Sequence, residues 1–530
     1  MKRKEFISTS VLGIGALFFS GIGDLFGRLP EYPEPQISQE DETRPIIIIG
    51  SGYGGAVAAL RLCEQGHKVT ILEMGLDWNK AKIPFSKMMN PGKSAAWLRT
   101  KTIAPFLNIF ALKKFTGVLD RLDFENIKIW LGRGVGGGSL VNGGIAPTPK
   151  KEYFKSIFPN LDADLFYNQY FPLARKELRV ELPPEDFIKN CPYYQFTQVG
   201  FSEAKKAGFE TTMVPNTYDF GYMQKEYRGE VPASALGGEV IYGNNYGKND
   251  LTKTYLRKAL ETGNLEILDL HQVHFIEQTE NHQFRLKVSQ ISTEGEVLVT
   301  KNFNCSKLFV CAGTMGTNAL LLKSQHLGKL KIDQNVGKKW GNNGNFMTGR
   351  NWVNPMKGGT GVKQSTIPVG AIDHWEHPQH QFFAEIAPLP MGMDVATALY
   401  LMVNKIKSYG EIYFDAKKQD IAIKWDKTNY QSFQENAKYF VRKMNKANGG
   451  TRAHLLFHNG WGYDICYHPL GGVVLGEATD RYGRLKGHTN LYVLDGALIP
   501  GGVGVNPFVT ITAIAEYCMA HLLQEGDFSA

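Results

Sequence analysis

The chain has 530 residues, 43% hydrophobic and 21% charged, with a formal net charge of +8. That is an ordinary globular composition at a length too great for one simple core, so two joined domains are expected. The charge is modest for the size, and no dense Lys/Arg block is interleaved with aromatics, which argues against a nucleic-acid partner.

The front of the chain differs in kind. Met1-Lys2-Arg3-Lys4-Glu5-Phe6-Ile7 is a basic start, and Val11 to Ile22 is an apolar run, short for a membrane span but suited to a signal-peptide core. Arg3-Lys4 resembles a twin-arginine export signal with Lys in the second place. Export, periplasmic or secreted, is the expectation, and Pro30 to Pro35 reads as a linker. Residues 1–36 are therefore set apart from the fold.

Pro45-Ile46-Ile47-Ile48-Ile49 predicts a buried parallel strand running into Gly50-Ser51-Gly52-Tyr53-Gly54-Gly55. Glycines at 50, 52 and 55 suit a tight turn, close approach to a pyrophosphate and close helix–strand packing. Ala56 to Cys63 continues as a helix whose N-terminus faces the phosphates. Gly66 and His67 end it, and Lys68 to Leu72 form a second strand that delivers Glu73, 23 residues after Gly50, where an acid can hold a ribose hydroxyl. The motif alone leaves FAD and NAD open.

A second glycine-rich loop, Gly132-Arg133-Gly134-Val135-Gly136-Gly137-Gly138-Ser139-Leu140-Val141-Asn142-Gly143-Gly144, lacks the Lys-Ser/Thr ending of a P-loop. It reads as a bed for a flat polar ligand, against the plainer reading of a structural turn. Lys307 to Cys311 and Asn490 to Asp495 read as further strands of the nucleotide domain, the first followed by a helix over Asn318 to Leu322. The six cysteines, at 63, 191, 305, 311, 466 and 518, have no zinc-like or CxxC spacing, so no metal site or disulfide framework is expected. Cys63, Cys311 and Cys518 read as small buried hydrophobes.

Phe382-Phe383-Ala384-Glu385-Ile386-Ala387-Pro388 reads as a strand with two apolar faces, one of them carrying Glu385. Burial without a partner would raise the Glu385 pKa and suit it to proton transfer; an edge-strand Glu reaching solvent fits the same pattern. Tyr467-His468-Pro469-Leu470-Gly471-Gly472 places a histidine among aromatic and glycine neighbours, where imidazole can partner an alcohol. Asn506-Pro507-Phe508 opens an apolar run to Leu523, with Asn506 as helix cap and Pro507 in the first turn. An amide donor for a substrate hydroxyl is compatible with that cap.

The fold class expected is α/β. A Rossmann-like dinucleotide domain (41–77, 249–340 and 460–530, with the 130–146 loop packed on the ligand) is interrupted by an α+β substrate domain (78–248 and 341–459) with a mixed or antiparallel sheet. Such interruption is commoner in flavoenzymes than in NAD dehydrogenases and favours FAD.

From about Ile46 to Glu516 the chain resembles the glucose–methanol–choline (GMC) oxidoreductases, and within them the non-covalent FAD cholesterol oxidases. The resemblance rests on the motifs above together with Tyr218-Asp219-Phe220-Gly221-Tyr222-Met223 and Val240-Ile241-Tyr242-Gly243-Asn244-Asn245. It implies oxidation of a sterol 3β-hydroxyl by O₂ with release of H₂O₂, then Δ5 to Δ4 isomerisation. Glu385 would shuttle a proton from C4 to C6, His468 would hold and polarise the hydroxyl, and Asn506 would orient the substrate. Phe383 would be a mobile aromatic near the oxygen path, with Ile145 standing where the family often has Met. FAD contacts are implied for Gly50, Gly52, Tyr53, Gly54, Gly55, Glu73, Met74, Gly134, Gly137, Gly138, Asn142, Gly143, Ile145, Val273, Asp495, Gly496, Asn506, Pro507 and Phe508. The Gly132–Gly144 loop has no histidine, which implies non-covalent flavin. Partners implied are the sterol, O₂ and a transient membrane surface, with the chain a monomer. The alternative is a GMC-type oxidation of another apolar alcohol without isomerisation.

Overall fold

The computed structural model describes residues 41–81, 96–100, 113–237, 245–353, 360–361, 364–389, 396–426, 431–454, 463–526 and 528. The expected export segment and all but Asn245 of the Val240–Asn245 motif lie outside these residues. Two sheets organise the described chain.

The first is a five-stranded parallel sheet in the order Leu491–Val493, Lys307–Val310, Ile46–Ile49, Val69–Leu72, Leu265–Leu268. Ile46 to Ile49 occupy its centre at 4%, 0%, 0% and 4% exposure, which explains the unbroken apolar run: both faces of an interior parallel strand are covered. The helix Tyr53–Glu64 follows, longer at each end than the apolar core at 56–63 suggests. Gly50 makes the turn with φ +94°, and a Cβ there would lie 2.4 Å from the Cys311 carbonyl oxygen. The third expected segment gives only the short strand Leu491–Val493, while the helix after Val310 runs over Gly313–His326. Long-range pairing, not local pattern, sets these limits.

The second sheet has six strands in the order Thr451–Arg452, Asn345–Asn351, Thr397–Asn404, Phe382–Ala387, Gly370–Asp373, Glu210–Met213, all pairs antiparallel. It thus draws one strand from the 78–248 block and the rest from 341–459. The Phe382–Ala387 strand is interior, so Glu385 is not on an edge. Phe382, Ala384 and Ile386 pack beneath the helices Gln195–Lys206 and Gln431–Asn448 in one core cluster. Phe383 turns to the other face and joins the larger core around the parallel sheet. Smaller sheets carry the hairpin Leu119–Asp123/Ile127–Gly132, joined in parallel by Asp464–Cys466, and the antiparallel run His271–Gln278, Phe284–Ile291, Val297–Cys305. All six cysteines are free and buried.

Candidate active site

A cavity of about 860 Å³ is lined from both large sheets, by Gly50 to Gly54, Glu73 and Met74 on the parallel side and by Glu385, Ala387, Leu399 and Leu401 on the antiparallel side. The second glycine loop, His468, Asp495, Gly496 and Asn506 to Phe508 also border it.

At the parallel sheet the glycines divide by task. Gly54 carries the helix against the last strand: a Cβ there would lie 1.7 Å from the Leu494 carbonyl oxygen. Gly55 does the same against the Gly50 carbonyl oxygen, at 2.2 Å, and does not line the cavity. At Gly52 and Gly138, by contrast, a Cβ would meet nothing within 4 Å among the described residues, and both residues border the cavity. Side chains there would fill the space a ligand needs. The Tyr53–Glu64 helix begins with Gly52 as its N-cap and no side-chain cap, leaving first-turn N–H groups for an anion.

Glu73 is buried where its strand ends. Ser51 donates to Glu73 Oε2 through its backbone N–H (3.1 Å) and its hydroxyl (2.7 Å), and the Gly75 N–H donates to Oε1 at 2.9 Å. Burial raises the Glu73 pKa, and these donors oppose the shift. The Ser51 hydroxyl also accepts the Gly136 N–H at 3.0 Å, tying the first glycine loop to the second. Asn142 donates to the Tyr53 hydroxyl at 2.5 Å, and the Tyr53 ring stacks on Phe508 with centroids 5.0 Å apart. Lys248 donates to the Asn142 carbonyl oxygen at 2.6 Å, a contact that nothing in the local sequence announces. Met74, Gly137, Gly143, Ile145 and Val273 line the cavity as well; Gly134, with φ +139°, packs against Trp78 and Leu140 instead.

At the antiparallel sheet Glu385 is 2% exposed and its Oε1 has no hydrogen-bond partner among the described residues. Burial pushes its pKa up to about 8, and a hydrogen bond from the Asn506 side chain pulls the other way. Asn506 is therefore not the helix cap expected from sequence. The helix runs over Phe508–Gln524 with Pro507 as its N-cap and no side-chain cap. The Asn506 amide is drawn across to the carboxyl because an unpaired buried carboxyl costs more than an uncapped helix end at a cavity. Phe383 does not border the cavity, since its side chain is buried in the main core.

His468 lines the same cavity, and burial lowers its pKa to about 4. Its Nδ1 faces two side-chain amides, Asn345 Nδ2 at 3.0 Å and Asn343 Nδ2 at 3.4 Å. Both asparagines are buried, and both went unnoticed in the sequence. The run Gly341-Asn342-Asn343-Gly344-Asn345 was their signal: Asn343 sits at φ +55° and Gly344 at φ +67°, a turn that Asn and Gly tolerate best. Asp495 also borders the cavity, with its pKa raised to about 6 by burial; it accepts from Thr317 Oγ1 at 2.5 Å and the Ala497 N–H at 2.9 Å.

The arrangement combines a glycine-lined dinucleotide cradle with a buried carboxyl, a neutral imidazole and an amide around an otherwise apolar space. It can hold a redox dinucleotide beside an alcohol and move a proton. Sequence models of the GMC oxidoreductase family match residues 46–342, 343–458 and 415–515. A cholesterol oxidase of Mycobacterium tuberculosis is 25% identical, with 89% of each chain covered. One of Acinetobacter baumannii is 23% identical over 90% of this chain and 94% of the other. A long-chain-alcohol oxidase of Arabidopsis thaliana is 21% identical over 89% of this chain and 66% of its own. Among solved structures, a fungal aryl-alcohol oxidase superposes with a TM-score of 0.64 at 13% identity, covering 92% of this chain and 99% of that one. The chain belongs to the GMC oxidoreductase family.

Proposed function

We propose that this protein is an FAD-dependent oxidase of 3β-hydroxysterols that also isomerises the product to the conjugated enone. The cavity residues fit FAD: the Gly52 and Gly138 positions are open, the first-turn N–H groups are uncapped, and Glu73, which borders the cavity, would hold a ribose hydroxyl. Met74, Asn142, Val273 and Asp495-Gly496 would hold the rest of it, non-covalently. When bound, FAD supplies the hydride acceptor and returns its electrons to O₂ as H₂O₂.

The protein's own contribution is to position the alcohol and handle its protons. Met347, Pro368, Pro388, Leu389, Leu399 and Leu401 offer an apolar lining for rigid hydrocarbon. His468 holds the hydroxyl, and Asn506 orients both substrate and carboxyl. Residues 78–248 and 341–459 serve as the substrate-binding part. An exported enzyme that touches a membrane surface to take its sterol fits this reading.

One observation carries the sterol reading: a carboxyl with a pKa near 8, lodged in an apolar cavity beside Asn506. Simple alcohol oxidation has no use for a second proton shuttle, whereas moving a double bond does. The similarity to cholesterol oxidases supports it; the long-chain-alcohol oxidase supports the broader reading of an apolar alcohol. Product analysis of Glu385→Gln separates the two. The sterol reading expects peroxide to form still and the product to stop at the unconjugated ketone. A Glu385→Gln enzyme giving the wild-type product at the wild-type rate would favour the other.

A further inference from the structure

We propose that Thr366 is a specificity residue whose hydroxyl bonds a second oxygen on the substrate, so that the favoured alcohol is a 3β-hydroxysteroid carrying an oxygen on its D ring. The inference deepens the sterol reading above and rests on it. Among the described residues, those that border the cavity with a buried, unpartnered side-chain oxygen are Glu385, Asn506 and Thr366. The first two belong to the reacting end. Thr366 is 1% exposed and has no part in the proton chemistry, so its open hydroxyl calls for another partner.

The neighbours of Thr366 hold it facing the cavity. Ser365 donates its backbone N–H to the Tyr193 carbonyl oxygen at 2.9 Å and its hydroxyl to the Tyr194 hydroxyl at 3.0 Å. Ile367 is buried in the core beneath the antiparallel sheet. Both are turned away from the cavity, whereas Thr366 and Pro368 line it. The Thr366 backbone N–H is itself fixed, on the Ala235 carbonyl oxygen at 2.7 Å. Only the side-chain hydroxyl is left to a ligand.

Register places that hydroxyl well away from the reacting end. Ala371 lies directly opposite Glu385, and Gln364 Oε1 accepts the Leu389 N–H at 2.6 Å. Residues 364–371 therefore run back alongside 385–389, with Thr366 toward the Leu389 end. At a strand's rise per residue, Leu389 lies roughly 13 Å from Glu385 and Thr366 roughly 10 Å. Between them the lining is apolar, from Ala387, Pro388, Leu389 and Leu399. Proton transfer from C4 to C6 sets the A and B rings at Glu385. A rigid skeleton laid along this lining brings its D ring to Thr366. There a carbonyl oxygen would accept from the Thr366 hydroxyl, and a hydroxyl oxygen could accept or donate. A substrate apolar at that end leaves the buried hydroxyl unpaired, which disfavours it.

The test compares a Δ5-3β-hydroxysteroid bearing a 17-oxo group with its 17-deoxy counterpart, as kcat/KM for peroxide release by the flavin-loaded enzyme. The wild type should favour the 17-oxo steroid on the order of tenfold, as expected for one buried hydrogen bond. Thr366→Val keeps the shape and removes the hydroxyl. It should bring the ratio close to one, chiefly through KM, while Thr366→Ser keeps the wild-type preference. Thr366→Ala makes the same test if Thr366→Val does not retain flavin. A wild-type ratio at or below one, or a ratio unchanged in the variant lacking the hydroxyl, would overturn the proposal and leave the sterol reading standing. Turnover of neither steroid, or of cholesterol, with FAD bound would sink the sterol reading itself and the proposal with it.

Discussion

The Asn506 side chain hydrogen-bonds the Glu385 carboxyl, joining the entry to the last helix with an interior strand of the antiparallel sheet. Among the described residues neither satisfies all its polar atoms: Glu385 Oε1 and Asn506 Oδ1 are both buried without partners. Buried polar atoms left open in this way mark a place where a ligand completes the bonding.

The pH dependence of enone formation follows from that pair. A proton acceptor must be ionised, so activity should rise with pH and level off above about 8, the Glu385 value. Asn506→Leu removes the donor that favours the carboxylate, so the rise should move to higher pH. A rise unchanged by both Asn506→Leu and Glu385→Gln would assign it to another group.

Stability carries the same signature with the opposite slope. A carboxyl whose folded pKa of about 8 exceeds its unfolded value costs nothing below the unfolded pKa. The cost grows as pH rises between the two values and is complete above the folded one. Glu385→Gln should match the wild type in unfolding free energy near pH 4 and exceed it near pH 9, by an amount on the order of a few kcal/mol, with a correspondingly higher Tm. Equal melting at both pH values would contradict the burial argument.

Ser51→Ala tests the joint between the two glycine loops. The Ser51 hydroxyl donates to Glu73 and accepts from Gly136, so its loss leaves buried groups short of a partner at about 1–3 kcal/mol. FAD affinity should fall by roughly tenfold or more, measured by flavin fluorescence on titration into apoprotein.

Gly54→Ala tests the helix–strand approach. Its Cβ would overlap the Leu494 carbonyl oxygen, which belongs to the backbone and cannot swing aside. A loss of about 1–3 kcal/mol or more is expected, with reduced bound flavin per chain. Unchanged melting and flavin content would show that the two elements are not held at this distance.

Much of this was legible in the sequence because it is local. The Ile46–Glu73 unit needs only a buried strand, glycines, a helix and an acid in order, and all of them lie where pattern puts them. The two apolar faces of Phe382–Ala387 fit either a buried Glu385 or one on a solvent edge, and pairing of the strand on both sides decides for burial. Alternation alone, however, did not show that Phe383 sits in the core while its face-mate Glu385 reaches the cavity. Asn506 was misread as a cap because its real partner lies on another sheet. Asn343 and Asn345 were missed for the same reason, since they meet His468 across more than 120 residues of chain.

The central claim is tested most directly by supplying the purified, flavin-loaded protein with cholesterol in air. Hydrogen peroxide and the absorbance of the conjugated enone are followed together. Oxidation plus isomerisation in one cavity predicts that both rise. Peroxide without enone would remove the isomerase role of Glu385, and silence on both with FAD bound would contradict the sterol oxidase reading.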